Sequence, residues 1–181
     1  LNWVPVVRGF INYQGYDIVR GALTQSIVDV DGSQLTLPSG WSTPSGGGLH
    51  LITDYTVDDL GRATRTMGPV HAVDISGTST NVRTVAWTVI KDDTDEVRTA
   101  QGYASGTSFG TFTLVNPVSI TKMDQAGRAI EQIVATRGSG VTSSGELSAS
   151  DTFAHSTYVR WTKNTYRTPG DLTKTPLYHN I

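Results

Sequence analysis

Short runs of alternating apolar and polar residues, separated by turn clusters, follow one another along most of the chain. The clearest run is 82–90, where Val85, Trp87 and Val89 occupy alternate positions, as in a strand with one buried face. Similar runs lie at 49–57, 111–115, 118–123 and 129–134. Asp, Gly, Ser and Pro residues lie between the runs, as in turns. The pattern predicts an all-β fold, an array of antiparallel β-hairpins with essentially no helix.

One turn motif, Asp-x-x-Gly-Arg between two predicted strands, recurs in the chain. Asp favours tight turns because its carboxylate accepts backbone N–H bonds, and Gly supplies the positive φ that such turns require. We therefore expect a positive φ at Gly61 and Gly127. Partial copies of the motif are anchored at positions 29, 92 and 164. The predicted turn residues are Asp29, Gly32, Asp58, Gly61, Arg62, Asp92, Asp124, Gly127 and Arg128, with Asn164 as the last anchor.

The anchors lie at intervals near thirty residues, the length of a stacked supersecondary unit. We therefore expect residues 1–181 to form a single β-hairpin repeat array. The Gly/Ser/Pro-rich stretch 38–48 is predicted to be a connection inside that array, and the Gly/Ser-rich stretch 137–151 a flexible one. The chain begins with Leu1, which we interpret as the start of a piece of a longer protein.

The composition supports sheet and narrows the possible partners. The sequence has 26 Thr and 16 Ser against 4 Lys, and charged residues make up 17% of the chain. The net charge of −2 gives no reason to expect nucleic acid as a partner. The sequence has no cysteine, which excludes disulfides and thiolate metal sites. No apolar run reaches the eighteen or so residues that a membrane helix needs, so we expect no membrane insertion.

The strand, Asp-x-x-Gly-Arg turn, strand arrangement resembles the YD-repeat (Rhs) family. The stretch from Tyr55 to Arg62 carries the resemblance best, and the stretch from Asp124 to Arg128 follows it. In that family, hairpins join side by side into a long sheet that spirals into a hollow shell. Such shells occur in bacterial surface and secreted toxin proteins and in animal teneurins. The resemblance implies a structural role outside the cell or at its surface.

Four groups of residues offer candidate chemistry. The acidic run Asp92, Asp93, Asp95 and Glu96 is a weak calcium candidate because hard cations favour carboxylate oxygens, but it lacks the full spacing of a calcium loop. The run Gly106 to Gly110 matches the G-x-S-x-G nucleophile elbow around Ser108, but a strand is predicted after it where an elbow needs a helix. The four His residues are scattered without a zinc pattern. Lys91, Lys122 and Lys163 precede turn anchors and are expected to pair with the turn carboxylates rather than to form cross-links.

Two aromatic residues in predicted loops, Trp41 and Tyr103, are the candidates for a sugar-stacking surface. We expect no enzyme activity and no cofactor. The leading hypothesis is a non-enzymatic extracellular module, a segment of a larger surface shell or filament. Its expected partners are flanking repeats or further copies, bound head to tail through the end stretches 3–7 and 177–181, because unpaired strand edges are templates for another chain. The alternative is a carbohydrate-binding β-domain of a secreted protein.

Overall fold

The computed structural model describes residues 11–43, 47–75, 77–167 and 172–179. The predicted end strand at 3–7 lies outside these residues. The described strands are β1 (Tyr13–Tyr16), β2 (Leu23–Val28), β3 (Leu51–Val57), β4 (Ala63–Ile75), β5 (Thr78–Lys91), β6 (Glu96–Ser105), β7 (Thr111–Met123), β8 (Ala129–Ala135), β9 (Thr142–Ser144), β10 (Tyr158–Lys163), β11 (Thr165–Tyr166), β12 (Leu172–Lys174) and β13 (Leu177–His179). A single 3-10 turn, His155–Thr157, precedes β10.

The strands follow one another across one 11-stranded antiparallel sheet in nearly the order of the chain. Strands β1 to β7 each pair with the strand that follows them in the chain, β8 pairs with β10, and β10 pairs with β13. Strand β9 pairs with β7, and β11 with β12 forms a separate two-stranded ribbon. The predicted all-β architecture of antiparallel hairpins is confirmed, and no described residue lies in an α-helix.

The core lies on one face of the sheet, over its central strands. Strand side chains point alternately to the two faces, and Val85, Trp87 and Leu114 belong to the face that is buried. Exposed Thr84, Ala86, Thr99, Gln101 and Ser119 lie on the opposite face. The buried core consists of Val85, Trp87, Ala100, Ala104, Leu114, Val118, Ile120, Ile133, Ala135 and Leu147.

The connection between β8 and β10 folds over this core, which its Gly/Ser-rich sequence did not indicate. Leu147 is 5% exposed and packs in the core cluster. Arg137 holds the connection with five donated hydrogen bonds, none longer than 3.2 Å, so every N–H of its guanidinium has an acceptor. Arg98 adds a 2.7 Å bond to the carbonyl of Asp151. The expectation of a flexible loop at 137–151 is wrong because arginine donors satisfy its backbone carbonyls.

Strand β4 continues past Gly68-Pro69, where the sequence predicted the end of a hairpin. The register with β5 shifts between Met67 and Val70, and β3 pairs with β4 only as far as Met67. The Arg83 side chain lies where β4 separates from β3. Its guanidinium donates to the carbonyls of Gly68, Met67 and Ile52 and to the carboxylate of Asp54.

We expect Arg83→Met to destabilise the fold by about 3 kcal/mol, because it leaves a half-buried carboxylate and three backbone carbonyls without their donor. The Arg83 side chain is 9% exposed. Arg160→Met, on the exposed surface of β10, is the matched control and should change the free energy of unfolding by less than about 0.5 kcal/mol. Urea titration measures both. Equal losses in the two variants would contradict the role given to Arg83.

Candidate functional site

The Asp-x-x-Gly-Arg turns lie at the same end of the sheet, which we name the turn end. Connections β1–β2, β3–β4, β5–β6 and β7–β8 all lie there because successive antiparallel strands reverse direction. The β2–β3 connection, described at 29–43 and 47–50, and the β8–β10 connection at 136–157 lie at the opposite end. The turn end therefore presents a row of short turns, and it is the candidate functional site of the chain.

Asp58 closes the β3–β4 turn with both carboxylate oxygens. Its Oδ1 accepts the backbone N–H groups of Leu60 (3.0 Å) and Arg62 (2.9 Å). Its Oδ2 accepts Nε of Arg62 at 2.7 Å. Gly61 has φ of 78° and donates its N–H to the Asp58 carbonyl. Each motif residue thus has a defined role. The Asp carboxylate accepts the hydrogen bonds, Gly adopts the left-handed backbone conformation, and the Arg side chain donates to the Asp carboxylate.

The β7–β8 turn repeats this arrangement bond for bond. Asp124 Oδ1 accepts the N–H groups of Ala126 (2.9 Å) and Arg128 (3.0 Å), and its Oδ2 accepts Nε of Arg128 at 2.8 Å. Gly127 has φ of 74° and donates to the Asp124 carbonyl. The predicted positive φ at Gly61 and Gly127 is therefore confirmed. The two full copies of the motif adopt the same conformation.

The prediction that Asp29 and Gly32 form another copy of this turn is wrong. Asp29 lies in the β2–β3 connection at the opposite end of the sheet, where it is 7% exposed and has φ of 53°. Its Oδ2 accepts the N–H of Leu49. Gly32 does not have a positive φ. Asp31, not Asp29, accepts the N–H of Ser33 in a local turn.

The copy that the sequence search missed is the β1–β2 turn, from Asp17 to Gly21. Asp17 Oδ1 accepts the N–H groups of Val19 and Arg20, and Oδ2 accepts Nη1 of Arg20 at 2.9 Å. Gly21 has φ of 64°. This turn is one residue longer, and its Arg precedes its Gly. The signal was present as Asp-x-x-Arg-Gly, but a search for the fixed order Gly-Arg passes over it.

The remaining two anchors depart from the motif in different ways. In the β5–β6 turn Asp95 stands where Gly stands in the full copies, and it adopts φ of 49°. Asp tolerates the left-handed region better than most residues do. Asn164 does not open a tight turn, because its N–H donates to the carbonyl of Ile130 and its Nδ2 to that of Ala129. It attaches the chain to β8 before the β11–β12 ribbon.

Arginines also join neighbouring turns to each other. Arg20 donates Nη2 to Asp59 in the next turn at 2.7 Å. Arg62 donates Nη1 and Nη2 to the two carboxylate oxygens of Asp92, each at 2.8 Å, a bidentate pair across two hairpins. Arg128 instead lies over the ring of Tyr166, 4.8 Å from its centroid. Each turn arginine thus bonds the aspartate of the same turn. It also contacts a residue at the turn end that lies beyond the next two strands of the sheet.

These bonds lower the pKa of the turn carboxylates. The side-chain hydrogen bond from Arg62 is the main cause that lowers the pKa of Asp92, and the bond from Arg128 does the same for Asp124. For Asp58, desolvation raises the pKa, but the bonds from Arg62 and Leu60 outweigh it and lower the pKa. The same bonds raise the pKa of Arg62, mainly through Asp92. The charged pairs are therefore formed at neutral pH.

The four carboxylates of the calcium candidate, at positions 92, 93, 95 and 96, are held in different surroundings. Asp92 is bound to Arg62, and Glu96 is buried against Arg98. Asp93 and Asp95 lie in the exposed turn between them. Within the described residues no group of three or more His, Cys, Asp or Glu side chains is placed to hold a metal ion.

The two candidate stacking aromatics are not brought together. Trp41 is 59% exposed and lines a groove of about 500 Å³ beside β1, with Leu35 and Leu37. Tyr103 lies inside β6, paired with strands on both sides, so its predicted place in a loop is wrong. Four strands, β2 to β5, separate β1 from β6. The pair therefore forms no common surface.

The structure around Ser108 is not that of a nucleophile elbow. Ser108 lies in the turn between β6 and β7, where Phe109 donates its N–H to the carbonyl of Gly106. A strand follows that turn, whereas a nucleophile elbow leads into a helix.

Lys122 and Lys163 both pair with Glu131, at 3.0 and 3.4 Å. The expectation that these two lysines pair with turn aspartates is therefore wrong.

Comparison of the chain with protein-family models, with curated proteins and with solved structures finds no match in any of the three. In the described part of the chain, no helix is long and apolar enough to cross a membrane.

We expect the fold to lose stability in acid through the turn carboxylates. Their pKa values are lower in the folded chain than the ordinary value of 3.8. Their contribution is therefore complete above about pH 5 and is lost as the pH falls through about 4 and below. Arg62→Met removes the partner of Asp58 and Asp92, so this variant should have a lower Tm at pH 6 and a smaller further drop on acidification.

Thermal unfolding between pH 6 and pH 2.5 measures the effect. Arg160→Met is the control, because Arg160 lies on the exposed surface of β10 away from the turn end, and it should follow the wild-type curve. An acid-induced drop in Tm that is as large in Arg62→Met as in the wild type would show that the turn pairs contribute nothing to the pH dependence.

Proposed function

We propose that the chain is a non-enzymatic structural repeat module, a segment of a larger extracellular or cell-surface shell or filament of the YD-repeat type. The observation that carries the proposal is the identity of the two full turns, in which Asp, Gly and Arg make the same bonds 66 positions apart, from Asp58 to Asp124. A recurring hairpin with a fixed turn is the unit from which repeat arrays are built.

The joins between hairpins support the same proposal. The Arg62–Asp92 pair and the Arg20–Asp59 pair each cross from one turn to the next. A single hairpin is marginal in water, so neighbouring hairpins must stabilise it. In an array, each added hairpin extends the ladder of backbone bonds and adds a further turn to the row.

The two ends of the sheet are where such a module would continue. Among the described residues, β1 and β13 are the terminal strands, each paired on one side. An unpaired edge of this kind accepts a strand from a flanking repeat or from another copy. Because β1 and β13 differ, contact between copies is head to tail, which produces rings or open filaments.

A lysine on the terminal strand tests this assembly. Leu177 lies in β13 and is 51% exposed, while Leu172 lies in the separate β11–β12 ribbon and is 56% exposed. We expect Leu177→Lys to raise the concentration at which half the chains are assembled by roughly tenfold, because a charge on an edge strand opposes pairing. Leu172→Lys, with the same change at similar exposure, should leave it unaltered.

Sedimentation velocity over a wide concentration range, with negative-stain imaging of the largest species, provides the measurement. A wild-type chain that remains monomeric at the highest concentration would refute assembly through the ends. Equal effects of Leu177→Lys and Leu172→Lys on assembly would show that the contact between copies does not involve the edge of β13.

A further inference from the structure

The outer parts of β4 and β5 form an arm that projects beyond the rest of the sheet. Residues 70–75 pair with 78–83 in six consecutive rungs. On one side β3 stops pairing at Met67, and on the other β6 stops at Arg83. In the described part of the chain, both outer edges of the arm beyond these points are therefore without a strand. At about 3.3 Å per residue the arm is roughly 20 Å long.

The arm has little packing of its own. Val70 is 49% exposed and Ile75 is 38% exposed, and His71, Ala72 and Asp74 are also exposed. Val82, at the base, is buried. A two-stranded ribbon is marginally stable in water unless a further strand or a packed face supports it. The arm supplies apolar β-forming side chains without such support, so it is suited to receive another strand.

The turn at the tip decides which backbone groups point outward. Ile75 and Thr78 flank a two-residue connection, and in such hairpins the flanking residues are hydrogen-bonded to each other. Bonded and non-bonded pairs then alternate along the ribbon. The N–H and C=O groups of Val70, Ala72 and Asp74 therefore point away from β5, and so do those of Ser79 and Asn81 on the other edge.

We propose that the β4 edge of the arm pairs antiparallel with the same edge of a second copy, with Ala72 opposite Ala72 on a two-fold axis. In this register Val70 lies opposite Asp74 of the second copy, and all three outward-facing residues bond in both directions. No other two-fold register satisfies all three. The contact is closed and isologous, and so differs from head-to-tail growth at the ends of the sheet.

Composition favours the β4 edge over the β5 edge. The β4 side, residues 70–75, carries four apolar residues, Val70, Ala72, Val73 and Ile75, whereas on the β5 side, residues 78–83, only Val82 is apolar. Natural edge strands that must remain single are protected by lysine, proline or inward-pointing charge. From 70 to 82 the sequence has no lysine and no proline. Its one carboxylate, on Asp74, accepts the N–H of Gly77 at the tip.

Single cysteines test the register, because the chain has no cysteine of its own. Directly opposed, hydrogen-bonded residues have Cα atoms about 5.5 Å apart, which a disulfide can bridge. We expect Ala72→Cys to form a disulfide-linked dimer under mild oxidation, at least about tenfold faster than Asn81→Cys. Asn81 pairs directly with Ala72 across the arm and is also exposed, so it is a matched control.

Both cysteines are placed in the Leu177→Lys background, so that assembly through the ends does not bring the arms together. Ala72→Pro, in the same Leu177→Lys background and without cysteine, removes an N–H that bonds nothing in β5. In sedimentation equilibrium it should shift the dimer of that background to monomer. Equal cross-linking rates for the two cysteines, no cross-linking at position 72, or a dimer that persists in Ala72→Pro would each overturn the proposal.

Discussion

Two strands stay in register only if the turn that joins them is fixed, and in this chain an aspartate carboxylate fixes it. Asp58 and Asp124 each accept two backbone N–H groups and one arginine Nε. These bonds set where each returning strand begins, and register in turn decides which face every side chain occupies. The buried row that contains Trp87 and Leu114 depends on that choice.

Arginine has a second task throughout the sheet, which is to satisfy groups that the strand ladder leaves unbonded. Arg83 bonds three carbonyls where β4 separates from β3. Arg137 bonds the connection that covers the core, and Arg62 joins two hairpins. A planar guanidinium with five donors suits this task better than a lysine ammonium does. The chain has only four lysines, and their scarcity leaves strand edges with less of the usual protection.

Sequence reasoning succeeded where chemistry is local and failed where it depends on the end of the sheet. The Asp58 and Asp124 turns were predictable because carboxylate, glycine and arginine lie within five residues. Asp29 was misplaced because an acidic residue before a glycine does not indicate at which end of a sheet it lies. The Arg62–Asp92 bridge and the extension of β4 beyond Gly68-Pro69 depend on strand order and on a distant arginine, so no local pattern indicates them.

The most direct test of the shared turn is to exchange the residue at its left-handed position. Gly61 and Gly127 have φ of 78° and 74°, and Asp95, the left-handed residue of the β5–β6 turn, has φ of 49°. Urea unfolding should show Gly61→Ala and Gly127→Ala less stable by about 1 kcal/mol. It should show Asp95→Gly more stable by about 0.5 kcal/mol, because glycine relieves the left-handed conformation. Gly110→Ala, at a position without a positive φ where the added Cβ meets only Ser108 Oγ at an ordinary contact distance of 3.6 Å, should be neutral. If Asp95→Gly destabilises the chain as much as Gly61→Ala does, the three turns do not share one backbone requirement.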